Sequence, residues 1–300
     1  MMLGEECFYE IRPPPYVGGY GKIRKIRLLM SAATIAAAAT ECDSEAQSIF
    51  KRGGIVYRKS QMAKTDYIEL PTGEKIPILY EDRSVLAMDK PRGWMLVPAS
   101  WQKTSRNLQM AITSSIAAKD FWARSRNLKF LRFVHRLDAD TTGILLFAKS
   151  LGAVNTFGDL FESRKMEKTY LAVAHGAPKQ NEWTCRLKLG PDLDQRGKMR
   201  VDAREGKEAE TVFRVLQVVG NAALIEARPF TGRTHQIRVH LAESGHPIVG
   251  DEMYGSPARK ELGLRAIGLA YQDPFTKRRV HIRAPIEEFC RKYGFQAPKL

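Results

Sequence analysis

The run RFVHRLDADTTGILLFAKS, residues 132–150, places a polar loop between two apolar stretches. Phe133 and Val134 close a short strand-like piece, and Ile144–Ala148 reads as a second strand. Between them, HRLDADTTG puts His135, Arg136, Asp138 and Asp140 on a loop held by rigid elements, where folds commonly carry reactive groups. Spacing alone reads the loop as a turn, with Asp138 or Asp140 capping backbone amides and Gly143 admitting a tight bend.

Working outward, IPILYED (76–82) and SVLAMDKP (84–91) read as paired strands ended by Pro91 and Gly93. Residues 104–118 carry helical spacing. In 151–164, Leu151, Val154, Phe157 and Phe161 are expected on one helical face. Lys168–His175 alternates as a strand, and ETVFRVLQVV (210–219) with AALIEARP (222–229) reads as an antiparallel pair. Thr234 is placed to cap a helix ending at Gly245. Runs 264–271 and 279–283 read as strands before a terminal helix from about Pro285. Strands outnumber helices and links are short. The expectation is an α+β fold: a mixed, largely antiparallel central sheet with flanking helices and a cleft.

The dense pattern begins at Ile76. Residues 1–60 show no sustained period, and ProProPro at 13–15 with Gly18-Gly19 reads as linker. KIRKIRLLMSAATIAAAAT (22–40) has the basic-then-apolar look of a signal peptide. It is too short to span a bilayer and starts late. A weakly structured extension, or a start at Met62, fits better. Residues 61–75 are expected as linker or short strands with a turn at Thr72-Gly73, and 76–300 as the catalytic domain. No membrane association is expected.

The formal charge is +15 over 300 residues. Residues 1–75 hold 11 basic and 9 acidic side chains, leaving +13 on residues 76–300. Such an excess favours a polyanionic partner over mere solubility. Cys7, Cys42, Cys185 and Cys290 are far apart with no CxxC pair, which argues against a zinc site or a disulfide framework. That pattern suits a reducing, cytoplasmic location.

A second constellation is RPFTGRTHQIRVH, residues 228–240. Arg233, His235, Arg238 and His240 crowd the first turns of the expected helix, whose terminus favours anions. A solvated basic face reads equally well. His235 and His240, spaced i and i+5, make a poor metal pair.

Taken in order, four motifs resemble the RluA-type pseudouridine synthases over roughly residues 76–290. They are EDRSVLAMDKPRG (81–93) with its Lys-Pro-x-Gly turn, HRLDADTTG, KTYLAV (168–173), and TGRTHQIRVHLAESGHPIVGDEMYG (231–255). LGLRAIGLAY departs from the family by placing Arg265 where a His is often found. The S4-type domain of many members is not recognisable.

The resemblance implies isomerisation of a uridine in structured ribosomal or transfer RNA by a monomer, with no cofactor, metal or obligate protein partner. It makes Asp138 the essential carboxylate, Arg238 its cationic partner (with Arg233 the rival) and Tyr170 the residue against the uracil face. Arg136 is implied to fill the gap left by the flipped base, and His135, Arg233, Thr234 and His235 to contact RNA. Asp140, outside the family's invariant core, is expected to cap the loop. Two alternatives are a non-catalytic RNA-binding protein on the same fold, and a metal-dependent nuclease using Asp138, Asp140 and the histidines.

Overall fold

The periodicities resolve into one large sheet in the computed structural model, which describes residues 64–96, 106–255 and 261–299. The extension expected at 1–60, with its linker and basic-apolar run, lies outside the described residues, as do 61–63 and 104–105.

In chain order the strands are β1 (Tyr67–Glu69), β2 (Lys75–Glu81), β3 (Val85–Lys90), β4 (Arg132–Phe133), β5 (Thr142–Ala148), β6 (Glu167–His175) and β7 (Glu182–Cys185). A small hairpin follows, β8 (Leu189–Pro191) with β9 (Met199–Val201). The last four are β10 (Thr211–Val219), β11 (Ala222–Pro229), β12 (Leu264–Gln272) and β13 (Arg279–Arg283). The sheet runs β1-β2-β3-β5-β12-β6-β11-β10-β7, with β4 on β5 and β13 on β12. Every pairing is antiparallel except β5 with β12, so the sheet is mixed and largely antiparallel. Because β1 pairs with β2, the sheet begins ahead of residue 76.

Strand β5 explains its own sequence. It is covered on both faces, so it is a continuous apolar run rather than an alternating one. Leu145 and Phe147 enter one core with Trp94, Leu108 and Trp122, while Ile144, Leu146 and Ala148 enter another with Phe157 and Tyr271. Helices α1 (Leu108–Ala117) and α2 (Phe121–Arg124) cover the first face. Helix α3 (Leu151–Glu162) covers the second, capped by the Ser150 Oγ, which accepts from the Ala153 N–H at 3.2 Å.

One expectation for α3 is corrected. Leu151 is 62% exposed. At 100° per residue it lies about 120° from Phe157, off the stripe of Ala153, Phe157 and Phe161 that meets the sheet. Helices α4 (Gln236–Glu243) and α5 (Glu287–Lys292) pack on opposite faces of the β6–β11 region, α4 through Ile237 and Leu241, α5 through Cys290.

Gly143 sits where β5 meets β12. Its φ is +104°, and a Cβ there would fall 2.0 Å from the Ala266 carbonyl oxygen. The glycine expected to permit a bend also permits the parallel β5–β12 contact beside the polar loop.

Candidate active site

The loop between β4 and β5 is held from below. Leu137 is buried in the core with Trp94 and Leu145, while Arg136 stays exposed and Asp138 half-buried. Lys90, fully buried at the end of β3, donates from Nζ to the carbonyls of Pro91 (3.0 Å), Ala139 (2.7 Å) and Thr141 (3.0 Å). Gly93 adds a backbone bond to the Ala139 carbonyl. Burial pushes the Lys90 ammonium down to about 8, opposed by Asp140 and Asp138. The Lys-Pro-x-Gly turn therefore holds the loop by its carbonyls, in place of the amide cap expected of Asp140. Asp140 instead pairs with Arg92 on the surface at 2.9 Å.

The facing wall is the segment from Thr231 into α4. Its organiser is the buried Gln236. The Gln236 Oε1 accepts from the Thr231 hydroxyl (2.7 Å) and the Arg233 N–H (3.0 Å), and Nε2 donates to the Glu210 carbonyl and the Thr211 hydroxyl, both at 2.9 Å. Thr234 does not cap the helix as expected. The chain passes through His235 at φ +55° and starts α4 at Gln236, while the Thr234 hydroxyl accepts from Arg136 Nη2 at 3.3 Å. The far end closes as expected at Gly245, where the His246 N–H reaches the Leu241 carbonyl and the Gly245 N–H that of Ala242.

Two residues into α4, Arg238 spans two carboxylates. Nε and Nη2 grip both oxygens of Asp251 at 2.7 and 2.8 Å, and Nη1 meets Asp138 Oδ2 at 3.2 Å. Asp251 is buried and also accepts from the Met253 and Tyr254 amides. Burial disfavours the guanidinium charge, but Asp251 and then Asp138 outweigh it and hold the Arg238 pKa above its usual value. Between the two candidate cations for Asp138, the contact belongs to Arg238. Arg233 donates to the Glu208 carbonyl from the cleft edge.

The two walls enclose a cleft of about 360 Å³ that Asp138, Tyr170, Arg136, Arg233, Thr234, His235 and Arg238 all line. In the sheet Tyr170 lies in register with Ala227 and Ala266, small neighbours on both sides that leave room beside its ring. Burial, then Asp138, raises the Tyr170 pKa, so the phenol is protonated at neutral pH. Lys168 donates to the Thr231 carbonyl at 2.7 Å; burial and the repulsion of Arg164 and Arg233 lower it to about 8.

His135 also lines the cleft but is engaged by the fold. Its Nε2 accepts the Leu146 N–H at 3.0 Å, its ring stacks on Phe161 at 4.6 Å, and burial drives its pKa down to about 3. Buried His240 bonds the Thr211 hydroxyl and the Leu187 carbonyl. Among the described residues, no three His, Cys, Asp or Glu side chains converge on a possible metal position. A second hollow, of about 690 Å³, lies around Glu81, whose carboxylate Arg126 and Lys149 already pair.

Sequence reasoning missed Lys168, Gln236, Asp251 and Tyr254, and saw Lys90 only as part of a turn. A lysine ending an apolar strand immediately before Pro91 was the one available signal for Lys90.

A family model described as RNA pseudouridylate synthase matches residues 84–243, which contain both walls of this cleft. The chain is 34% identical over 227 residues to ribosomal large subunit pseudouridine synthase C of Salmonella typhimurium, covering 72% of this chain and 68% of that protein. It is 33% identical over 218 residues to the dual-specificity RNA pseudouridine synthase RluA of Vibrio cholerae, covering 71% and 83%. Among solved structures, human RNA pseudouridylate synthase domain containing 1 aligns at a TM-score of 0.55 and 26% identity, over 70% of this chain and 83% of that one. Domain containing 4 aligns at 0.60 and 22%, over 74% and 94%, a likeness of fold. With the motifs in order, the sheet expected and relatives above 30% identity across most of both chains, the protein belongs to the RluA family of RNA pseudouridine synthases.

Proposed function

We propose that this chain isomerises uridine in a structured ribosomal or transfer RNA, with Asp138 as the catalytic carboxylate and no cofactor. The observation that carries the reading is the contact of Arg238 Nη1 with Asp138 Oδ2 inside the Tyr170-lined cleft. The reaction breaks the N1–C1′ bond, turns the freed uracil and joins C5 to C1′, with the C5 proton lost at the end. Attack on C1′ and removal of the C2′ proton to leave a glycal both require an ionised oxygen at the sugar, and Asp138 supplies it. Arg238 Nη1 donates to that carboxylate from across the cleft.

Tyr170 stacks on the uracil, where base–aromatic contact is worth roughly 1–3 kcal/mol. The target base has to leave its stack, at a cost of a few kcal/mol. Exposed Arg136, at the rim and bonded to Thr234, takes its place in the helix. One relative is named for the ribosomal large subunit and another for dual RNA specificity, which supports an RNA substrate and, from the first name, a ribosomal one. The free, buried thiols of Cys185 and Cys290 fit the reducing cytosol in which we place the chain as a monomer. None of the described helices is long and apolar enough to cross a membrane.

The test uses ribosomal and transfer RNA labelled with tritium at uridine C5. Incubation with the chain in excess chelator should release tritium and yield one pseudouridine per tritium lost. Release that depends on a divalent ion, or RNA binding with no release, would overturn the reading.

A further inference from the structure

Two non-glycine residues of the cleft, Arg164 and His235, adopt the left-handed conformation, and His235, at φ +55°, does so beside Asp138. Such a residue costs of order 1 kcal/mol or more and persists where its surroundings demand it. Its ring explains the demand. Nδ1 lies 2.8 Å from the Tyr254 hydroxyl, and that hydroxyl already accepts the Met199 N–H at 2.8 Å. The phenolic proton needs an acceptor, and among the described residues Nδ1 is the one bonded to it. With the phenolic proton in that bond, Nδ1 accepts and the hydrogen of the neutral ring resides on Nε2. Burial lowers the His235 pKa and Asp138 opposes it, so the ring is neutral at physiological pH.

Nε2 stands 3.8 Å from Asp138 Oδ2, the same oxygen that Arg238 Nη1 meets at 3.2 Å. Among the described residues no donor is bonded to Asp138 Oδ1. We infer that His235 is a positioning residue whose Nε2–H closes on Asp138 Oδ2 when uridine fills the cleft, so that Oδ1 is the oxygen turned to the sugar. The approach needed is about 1 Å, a tightening usual between a free site and its substrate complex. The Tyr254 ring lies against both partners, edge-on to His235 at 5.6 Å and beneath the Arg238 guanidinium at 5.1 Å. One aromatic residue thus sets the tautomer of the first donor and supports the second.

This inference rests on the proposed role of Asp138, and its test separates the two. Nitrogen-15 NMR of the full chain, with His235 assigned by its loss in His235→Gln, should show Nδ1 unprotonated and Nε2 protonated. Tyr254→Phe should weaken that preference, which the facing Asp138 carboxylate still supports. A protonated Nδ1 in the wild type overturns the inference whatever the activity.

Two substitutions then give opposite forecasts. Glutamine can place its amide N–H where Nε2 stood, whereas asparagine reaches only the Nδ1 position but tolerates a left-handed backbone better. His235→Gln should keep the single-turnover rate within about threefold. His235→Asn should lose at least about tenfold, with RNA affinity unchanged, as expected for a lost bond to a charged acceptor. The reverse order would show that His235 serves the backbone of the loop alone. Wild-type chain with the expected tautomer but no isomerisation would instead refute the function and leave the hydrogen bond standing.

Discussion

Replacing Arg238 by lysine retains a positive charge and removes a shape. The guanidinium makes two bonds to Asp251 and one to Asp138, with its side chain 10% exposed and that of Asp251 fully buried. A single ammonium cannot reach both acids in that geometry. The more desolvated acid gains more from a cation, so Asp251 should capture it and Asp138 should lose its donor. A hydrogen bond to a charged group is worth about 1.5–3 kcal/mol, which at 1.4 kcal/mol per decade is a single-turnover rate roughly 10- to 150-fold slower. Arg238→Ala should slow the reaction to a similar degree. It also strands the buried Asp251 carboxylate and should cost about 3–5 kcal/mol of stability, most of which lysine spares. Tritium release at saturating enzyme gives the rates, and urea midpoints give the stabilities. A lysine variant within about threefold of the wild-type rate would refute the division of Arg238 between two carboxylates.

Other perturbations probe the scaffold and the RNA. Gly143→Ala puts a methyl 2.0 Å from the Ala266 oxygen at φ +104°, so it should cost upward of ~3 kcal/mol; a urea midpoint near wild type would contradict the close β5–β12 contact. Lys168, held at about 8 by burial and by Arg164 and Arg233, ionises near 10.5 when unfolded. The penalty for burying its charge is full below about pH 8 and relieved as pH climbs toward 10.5, so the contribution of Lys168 to stability rises through that window. Lys90 acts in the same direction and the buried tyrosines and cysteines in the opposite one, so the check is a difference: from pH 8 to 10.5 the stability of the wild type relative to Lys168→Met should move in the wild type's favour, and a constant difference would contradict it. Arg136→Ala should lose rate on a paired target and recover most of it on an unpaired one, where extrusion is cheap. Equal losses on both substrates would place Arg136 in the chemistry instead.

The sheet was readable because two-sided burial leaves a plain mark. The ILLFA run of β5 follows from what covers it, whereas β6, read as alternating, is buried on both faces over Leu171, Ala172, Val173 and Ala174. The hairpin β8–β9 and the strand β7 were missed, being three or four residues long with mostly polar neighbours. In α3 the apolar spacing was right for Val154, Phe157 and Phe161 and wrong for Leu151, since a residue at a helix end can be apolar and still project past the sheet. At the site, spacing alone read HRLDADTTG as a turn, and the resemblance supplied the role of Asp138. The supports stayed hidden because their partners are distant in sequence. Lys90 is 49 residues from Ala139, and Asp251 is 13 from Arg238 along a chain that leaves α4 and turns back. A buried charge has no local signature; its meaning lies in the groups folding brings to it. Arg238 prevailed over Arg233 because α4 begins only at Gln236, so Arg233 precedes the helix and stays at the cleft edge.

The central claim is that one carboxylate carries the chemistry. Asp138→Asn preserves the size of the side chain and an oxygen for Arg238 Nη1–H, and removes the negative charge. Asp140→Asn makes the same chemical change two residues away, at an acid paired with Arg92 on the surface. Single-turnover pseudouridine formation, with enzyme in excess over RNA, is the direct comparison. Asp138→Asn should bind RNA and unfold in urea like the wild type while forming no product, and Asp140→Asn should retain most of its rate. Product from Asp138→Asn within about tenfold of the wild-type rate would contradict the account.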